Sequence, residues 1–280
     1  LDIMKTMRIL AAACCLAAAP FTAHAAEICT AIADGATGAV VVQRGDCARR
    51  VTPASTFKIA ISLMGYDAGF LQDEHTPVLP YRPGYVDWRE NWKHPADPAR
   101  WMADSVVWYS QQVTRFLGPQ RFAGYVRDFG YGNADVTGDA ENDGLTMSWI
   151  DSSLRISPLE QVAFLRRLLG RRLGVKEQAY AMTERLVAYG PPVDGWTVHG
   201  KFGAAGGFGW YVGWAAKDGR TLVFARLVEV DAGKPKDVLP GPWTRDAFLA
   251  EFPRLATDQM TATPARPTPA PRTPSTPPAP

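Results

Sequence analysis

Thr52-Pro53-Ala54-Ser55-Thr56-Phe57-Lys58-Ile59-Ala60-Ile61-Ser62-Leu63-Met64-Gly65-Tyr66 is the stretch on which the reading of this chain turns. Its start carries helix signals in order. Thr52 offers an N-cap hydroxyl, and Pro53 suits a first helical position, where a missing N–H costs nothing. From Phe57 onward the apolar residues Phe57, Ile59, Ala60, Ile61, Leu63 and Met64 surround the axis instead of forming a stripe, which predicts a helix buried on all sides. Lys58 breaks that pattern. An ammonium taken out of water without a partner is so costly that the amine tends to lose its proton. Ser55 lies three residues earlier and so on the same face. The pair reads as a nucleophilic hydroxyl at the positive end of a helix dipole, one turn from a neutral amine, an arrangement suited to acyl transfer. The alternative is structural, with Ser55 supporting the helix start and Lys58 running along its alkyl stem to water. A Ser-x-x-Lys spacing alone is a weak signal; the helix around it favours the catalytic reading.

Upstream, Lys5 and Arg8 precede an alanine-rich apolar run from Ile9 to about Phe21, closed by Ala23-His24-Ala25. This order predicts a secretory signal peptide over 1–25, cut after Ala25. A lipid anchor on Cys14 or Cys15 would leave a very short apolar region. No later stretch approaches the length of a membrane span. The formal net charge, +2 for the whole chain, becomes +1 once Lys5, Arg8 and Asp2 leave with the leader. The basic doublets Arg166-Arg167 and Arg171-Arg172 lie in a leucine-containing helical pattern that reads as a solvated face, so nucleic acid is excluded as a partner.

Two cysteines remain after the leader, Cys29 and Cys47. Strand patterns at Thr30–Asp34 and Val40–Gln43, with a turn at Gly35–Gly38, would bring them together as a disulfide; two buried free thiols are the alternative. Beyond the central helix, Gly69, Pro77, Pro80, Pro83, Gly84, Pro95 and Pro98 predict a lobe of loops. It carries Trp88, Trp92, Trp101 and Trp108, which either line a cleft or pack a core. Helical patterns follow at Ser105–Phe116, Pro119–Asp128, Pro158–Leu169 and Val175–Ala188. Strand patterns return from Gly195: Trp196–Gly203, Gly209–Trp214 and Thr221–Val230, with Lys217-Asp218-Gly219-Arg220 as a hairpin turn. A last helix is expected over Pro242–Phe252. The chain's end, with eight prolines between Ala262 and Pro280, reads as a disordered tail starting near 259. The fold class is therefore α/β in the α+β sense: an antiparallel sheet flanked by helices, drawn from about 26–64 and 195–258, beside a mostly helical lobe over about 65–194. About 235 residues are available for this single unit.

Five segments occur in order: Pro53-Ala54-Ser55-Thr56-Phe57-Lys58, Ser105-x-Val107, Tyr131-Gly132-Asn133, Trp149, and Arg155-Ile156-Ser157-Pro158-Leu159-Glu160-Gln161. Together they resemble the class D, or oxacillinase-type, serine β-lactamases, relatives of the penicillin-binding proteins. The resemblance covers nearly the whole domain. It implies a periplasmic hydrolase of penicillin-type antibiotics, an agent of antibiotic resistance, acting as a monomer or homodimer through an acyl-enzyme on Ser55. It also implies that Lys58 carries CO2 as a carbamate and serves as general base, with no metal or other cofactor. Trp149 would hold the carbamate, while Val107 and Ile150 keep its pocket dry. Ser105 and Lys201 would relay a proton to the leaving nitrogen. The N–H groups of Ser55 and Ala204 would form the oxyanion hole, and Tyr131, Phe202, Gly203 and Arg245 would contact substrate, with Arg245 receiving its carboxylate. One departure stands out. Lys201-Phe202-Gly203 replaces the family's Lys-Thr-Gly or Lys-Ser-Gly, and with it goes a hydroxyl that touches the substrate carboxylate.

Two rivals share this resemblance: a penicillin-sensing domain that is acylated without turnover, and a cell-wall transpeptidase. Steady turnover of a chromogenic cephalosporin would separate the hydrolase from both. His75, His94 and His199 show no metal-ligand spacing, which disfavours a metallohydrolase, and no Gly-x-Ser-x-Gly elbow is present for a Ser-His-Asp hydrolase.

Overall fold

Strands β1 (Ala26–Asp34) and β2 (Val40–Gly45) form an antiparallel hairpin whose turn is built by Asp34, its carboxylate accepting the N–H groups of Ala36 and Thr37. Cys29 on β1 and Cys47 just beyond β2 are joined as a disulfide, with Cα atoms 5.0 Å apart. The computed structural model describes residues 26–230 and 238–261; the predicted leader, and the tail from 262 onward, lie outside the described residues.

A short 3₁₀ turn, Ala54–Phe57, leads directly into helix α1 (Lys58–Asp67), in which every residue from Lys58 to Tyr66 is buried. The segment that follows holds few regular elements: α2 (Pro98–Asp104), capped by the Asp97 carboxylate, and α3 (Val107–Asp128). Gly118 breaks α3 with a left-handed φ of 72°, and Pro119, which needs no N–H partner, restarts it. That break falls between the two helices expected there. The expected start at Ser105 does not hold, because Ser105 is left-handed (φ 61°) and separates α2 from α3. A single helical turn α4 (Gly144–Met147), α5 (Pro158–Leu169), closed at its start by the Ser157–Glu160 capping box, and α6 (Glu177–Leu186) complete the helices before the sheet resumes.

Strands β3 (Thr197–Ala205), β4 (Phe208–Lys217) and β5 (Arg220–Glu229) then run as a meander, with Asp218 and Gly219, both at positive φ, making the tight turn between the last two. The five strands are antiparallel throughout, in the order β2-β1-β5-β4-β3, so the first strand in sequence pairs with the last. Helix α7 (Pro240–Thr261) follows. It is longer than the expected Pro242–Phe252, because Leu255 and Ala256 extend its buried stripe past Phe252 in spite of Pro253.

Period-two alternation divides the sheet's side chains between two cores. Val223, Ala225 and Leu227 of β5 face the larger one, which contains α1, α3 and α5. Leu222 and Phe224 face the other, where Phe248, Leu249 and Phe252 of α7 pack against Trp196 and Tyr211. Arg226, on that same α7 side, reaches Glu251 at 2.5 Å and Glu27 at 3.5 Å. Among the described residues no helix is long and apolar enough to cross a membrane.

Candidate active site

Ser55 sits in the 3₁₀ turn, ahead of α1. The turn is held from outside the helix. Thr52 does not cap it, as its sequence position had suggested; its hydroxyl donates to the Trp149 carbonyl at 2.7 Å and accepts from the Asp151 N–H at 3.0 Å. The Ala54 N–H also reaches the Trp149 carbonyl, at 3.0 Å, and the Thr52 carbonyl accepts from the Trp210 indole at 2.9 Å. Ala54 is left-handed, φ 49°, a conformation that costs an L residue energy and persists only where its surroundings impose it. Two separate segments, 149–151 and β4, therefore hold the stretch that precedes Ser55.

One turn on, Lys58 Nζ lies 3.0 Å from Ser55 Oγ. Lys58 is fully buried. Burial first, and the Arg89 guanidinium second, pull its pKa from the usual 10.5 down to about 7. Lys201, on β3, is buried as well. Desolvation, followed by the charges of Lys58, Arg89 and Arg245, holds it well below the ordinary lysine range. Its Nζ donates to the Phe202 carbonyl at 3.2 Å. Two buried polar atoms, Ser105 Oγ and Trp149 Nε1, have no hydrogen-bond partner among the described residues, an unusual state for buried groups and one that points to a ligand or a modification.

Ser55, Ser105, Val107 and Ile150 line one cleft. Phe202, Gly203 and Ala204 of β3 form one wall of it, joined by Gly241 and Pro242 at the start of α7. Gly203 is required by proximity: a Cβ there would stand 3.0 Å from the backbone nitrogens of Ser55 and Thr56. The absence of a side chain lets β3 pass backbone against backbone beside the nucleophile, which brings Ala204 to the same place.

Two predicted substrate contacts lie elsewhere. Tyr131 is fully buried behind the cleft, its ring 4.9 Å from Phe57 and its hydroxyl accepting from Gln161 Nε2 at 3.2 Å. Gln161 also donates to Thr56 Oγ1, so Tyr131 braces the 3₁₀ turn from below, and the turn motif at 131–133 that marked it says nothing of this depth. Arg245 does not line the cleft. It pairs with Asp246 at 2.8 Å and stands 5.5 Å from the Phe202 ring, whose centroid is 3.7 Å from Lys201 Nζ. The aromatic ring of Phe202 is thus in contact with both the Lys201 amine and the Arg245 guanidinium.

The cleft also has a wall that sequence reasoning did not assign: Trp88, Arg89 and Trp92. Of the four tryptophans in this region, Trp88 and Trp92 line the cleft while Trp101 and Trp108 fill the core. Density of tryptophan was legible; which ones face the cleft was not, because this segment has no period that fixes a side-chain direction. Among the described residues no group of three His, Cys, Asp or Glu could hold a metal ion.

Residues 28–238 match the transpeptidase family, described as the penicillin binding protein transpeptidase domain. The chain is 44% identical over 242 residues to Beta-lactamase OXA-9 of Klebsiella pneumoniae, covering 81% of this chain and 87% of that protein. It is 37% identical over 220 residues to Beta-lactamase OXA-1 of Escherichia coli, covering 74% and 78%. Among solved structures, OXA-427 class D β-lactamase superposes with a TM-score of 0.76 at 40% identity, over 82% of this chain and 99% of its own.

Proposed function

The chain belongs to the class D β-lactamases and hydrolyses β-lactams, and we propose that it does so through an acyl-enzyme on Ser55 with Lys58 as the site of the base. The observation that carries the reading is the contact of 3.0 Å between Ser55 Oγ and an amine whose pKa burial has brought to about 7. A neutral amine can add CO2, and Trp149 Nε1 is a buried donor without a partner, so the residues fit a carbamate on Lys58 held by Trp149. That carbamate would supply a carboxylate-type base in a dry pocket, with Val107 and Ile150 excluding water.

Ser55 Oγ forms a bond to the lactam carbonyl carbon and gives up its proton to the base at Lys58. The ring C–N bond breaks, and the proton reaches the departing nitrogen through Lys201 and Ser105. The backbone N–H groups of Ser55 and Ala204 stabilise the oxyanion, a contribution of about 3–4 kcal/mol per donor. A water then attacks the ester carbonyl, passing a proton to the same base, and the carbon–Oγ bond breaks as that proton is returned to Oγ, which regenerates the Ser55 hydroxyl and the free base. Tyr131 contributes by bracing the 3₁₀ turn and Arg245 by adding charge behind Phe202. The enzyme acts after export to the periplasm, a compartment where the Cys29–Cys47 disulfide persists.

Intact-mass spectrometry during penicillin turnover tests the scheme. Wild type should show a transient adduct of one penicillin mass, Ser55→Ala none, and carbon-13 bicarbonate should label Lys58. An adduct that never turns over would make the protein a penicillin sensor instead.

A further inference from the structure

Arg89 is a cation in the cleft for which the reaction above has no use. It is half-buried, and it lines the same cleft as Ser55 and Ser105. Among the described residues it has no carboxylate within ion-pair distance, and its contact is with the face of Trp92, 5.4 Å from guanidinium to ring centre. The acid whose charge it feels, Asp104, is bonded to Arg100 Nε at 3.2 Å. Arg245, by contrast, has Asp246 beside it. A guanidinium that is partly desolvated, unpaired and set near two buried lysines is held at a cost that an incoming anion would relieve.

Its sequence neighbour adds the second element. Trp88 keeps 59% of its surface exposed although it lines the cleft, and it leans on Trp92 at 6.0 Å between ring centres. An exposed indole next to a bare guanidinium offers a flat apolar surface and a bidentate anion receptor within one side chain's reach. None of the described residues lining the cleft is acidic, so nothing there competes for Arg89.

We propose that Trp88 and Arg89 form a second anion-binding subsite, which takes an acyl side chain bearing both an aromatic ring and a carboxylate. This rests on the reading that the cleft hydrolyses β-lactams. The carboxylate common to these antibiotics falls to the wall of Lys201, so a second carboxylate on the acyl side chain meets the wall of Arg89.

Benzylpenicillin and carboxybenzylpenicillin differ by that one carboxylate and serve as the probes. In wild type, the ratio of kcat/KM for the carboxylated to the plain penicillin should fall about tenfold in Arg89→Gln, through KM, with Arg89→Lys in between, as expected for loss of one charge-assisted contact. Equal losses on both substrates, or no loss on either, would overturn the subsite. The Ser55→Ala protein separates this from the hydrolytic reading. Calorimetry on it should show carboxybenzylpenicillin binding more tightly than benzylpenicillin, and the added Arg89→Gln change should erase the difference. That binding pattern in a protein whose wild type turns over neither penicillin would keep the subsite and end the hydrolase; turnover without the pattern would do the reverse.

Discussion

Each face of the sheet buries cations, and the two faces treat them differently. Under α7, Arg226 is 6% exposed and lies between Glu27 and Glu251, so its charge is answered within the fold. On the α1 side, Lys58 and Lys201 are as deeply buried with no carboxylate beside them among the described residues, and burial lowers the pKa of each instead. A buried charge that is paired holds structure, whereas one that is unpaired is a reagent kept in an uncomfortable state by the packing around it. The comparison separates the part of the molecule that is optimised for standing from the part optimised for reacting.

Removal of the nucleophile is the strongest way to test the reactive side. Ser55→Ala should lower kcat by about 10⁴-fold or more while leaving the thermal midpoint near its wild-type value, since one hydroxyl near a helix start contributes little to stability. Unchanged turnover would place the chemistry elsewhere. The next test sets the two faces against each other. Arg226→Ala strands two glutamates and should cost roughly 2–3 kcal/mol in urea denaturation, whereas Lys58→Met, measured with CO2 removed, should raise the midpoint by roughly 5 °C while abolishing turnover. Destabilisation by both changes would erase the distinction. Trp149→Phe keeps the ring and removes the unpartnered N–H. A loss of about tenfold in kcat, reduced by added bicarbonate, is expected, and a loss that bicarbonate leaves alone would make the indole a packing element.

The last test is the response to acid. Lys58 releases its proton only above about pH 7, so activity in CO2-depleted buffer should be halved there and fall tenfold for each further unit of acid. The unmodified fold gains stability from about pH 7 up towards 10.5, since the unfolded chain then holds a proton that the folded one has released. Glu251 behaves in the opposite sense. Its carboxylate is held below 4.5, burial opposing and Arg226 and Arg44 prevailing, so its stabilisation is complete above that value and is lost as pH falls through the folded pKa. Between pH 5 and 6 the protein should therefore be folded by circular dichroism and nearly silent by assay; coincident loss of both would break the division.

Much of this is legible in the sequence. The all-round burial of α1, the Ser55–Lys58 pair, the Gly118–Pro119 break and the Asp218-Gly219 turn each follow from local rules of spacing, helix punctuation or turn chemistry. The cleft itself was legible only in part. Ser105 sits left-handed between two helices, Tyr131 lies in the core, and Arg245 stands behind Phe202 because tertiary packing, which leaves no mark in the local pattern, decides those directions. Arg89 is not marked by the sequence, and Trp88 is left between cleft and core, for a related reason: a segment interrupted by prolines has no period from which its inward face can be read.

The contact of Gly203 with the backbone of the 3₁₀ turn also constrains how this enzyme can change over generations. Any mutation at 203 drives a side chain into the nitrogens of Ser55 and Thr56, so drug selection finds no foothold there. Position 202 is different: Phe202 belongs to the cleft wall while its ring packs on the α7 side, so a new side chain there can alter the wall without driving into the 3₁₀ turn. The rail is fixed and the fitting on it is exchangeable, so variants that broaden or narrow the antibiotic range should accumulate at 202 and not at its neighbour.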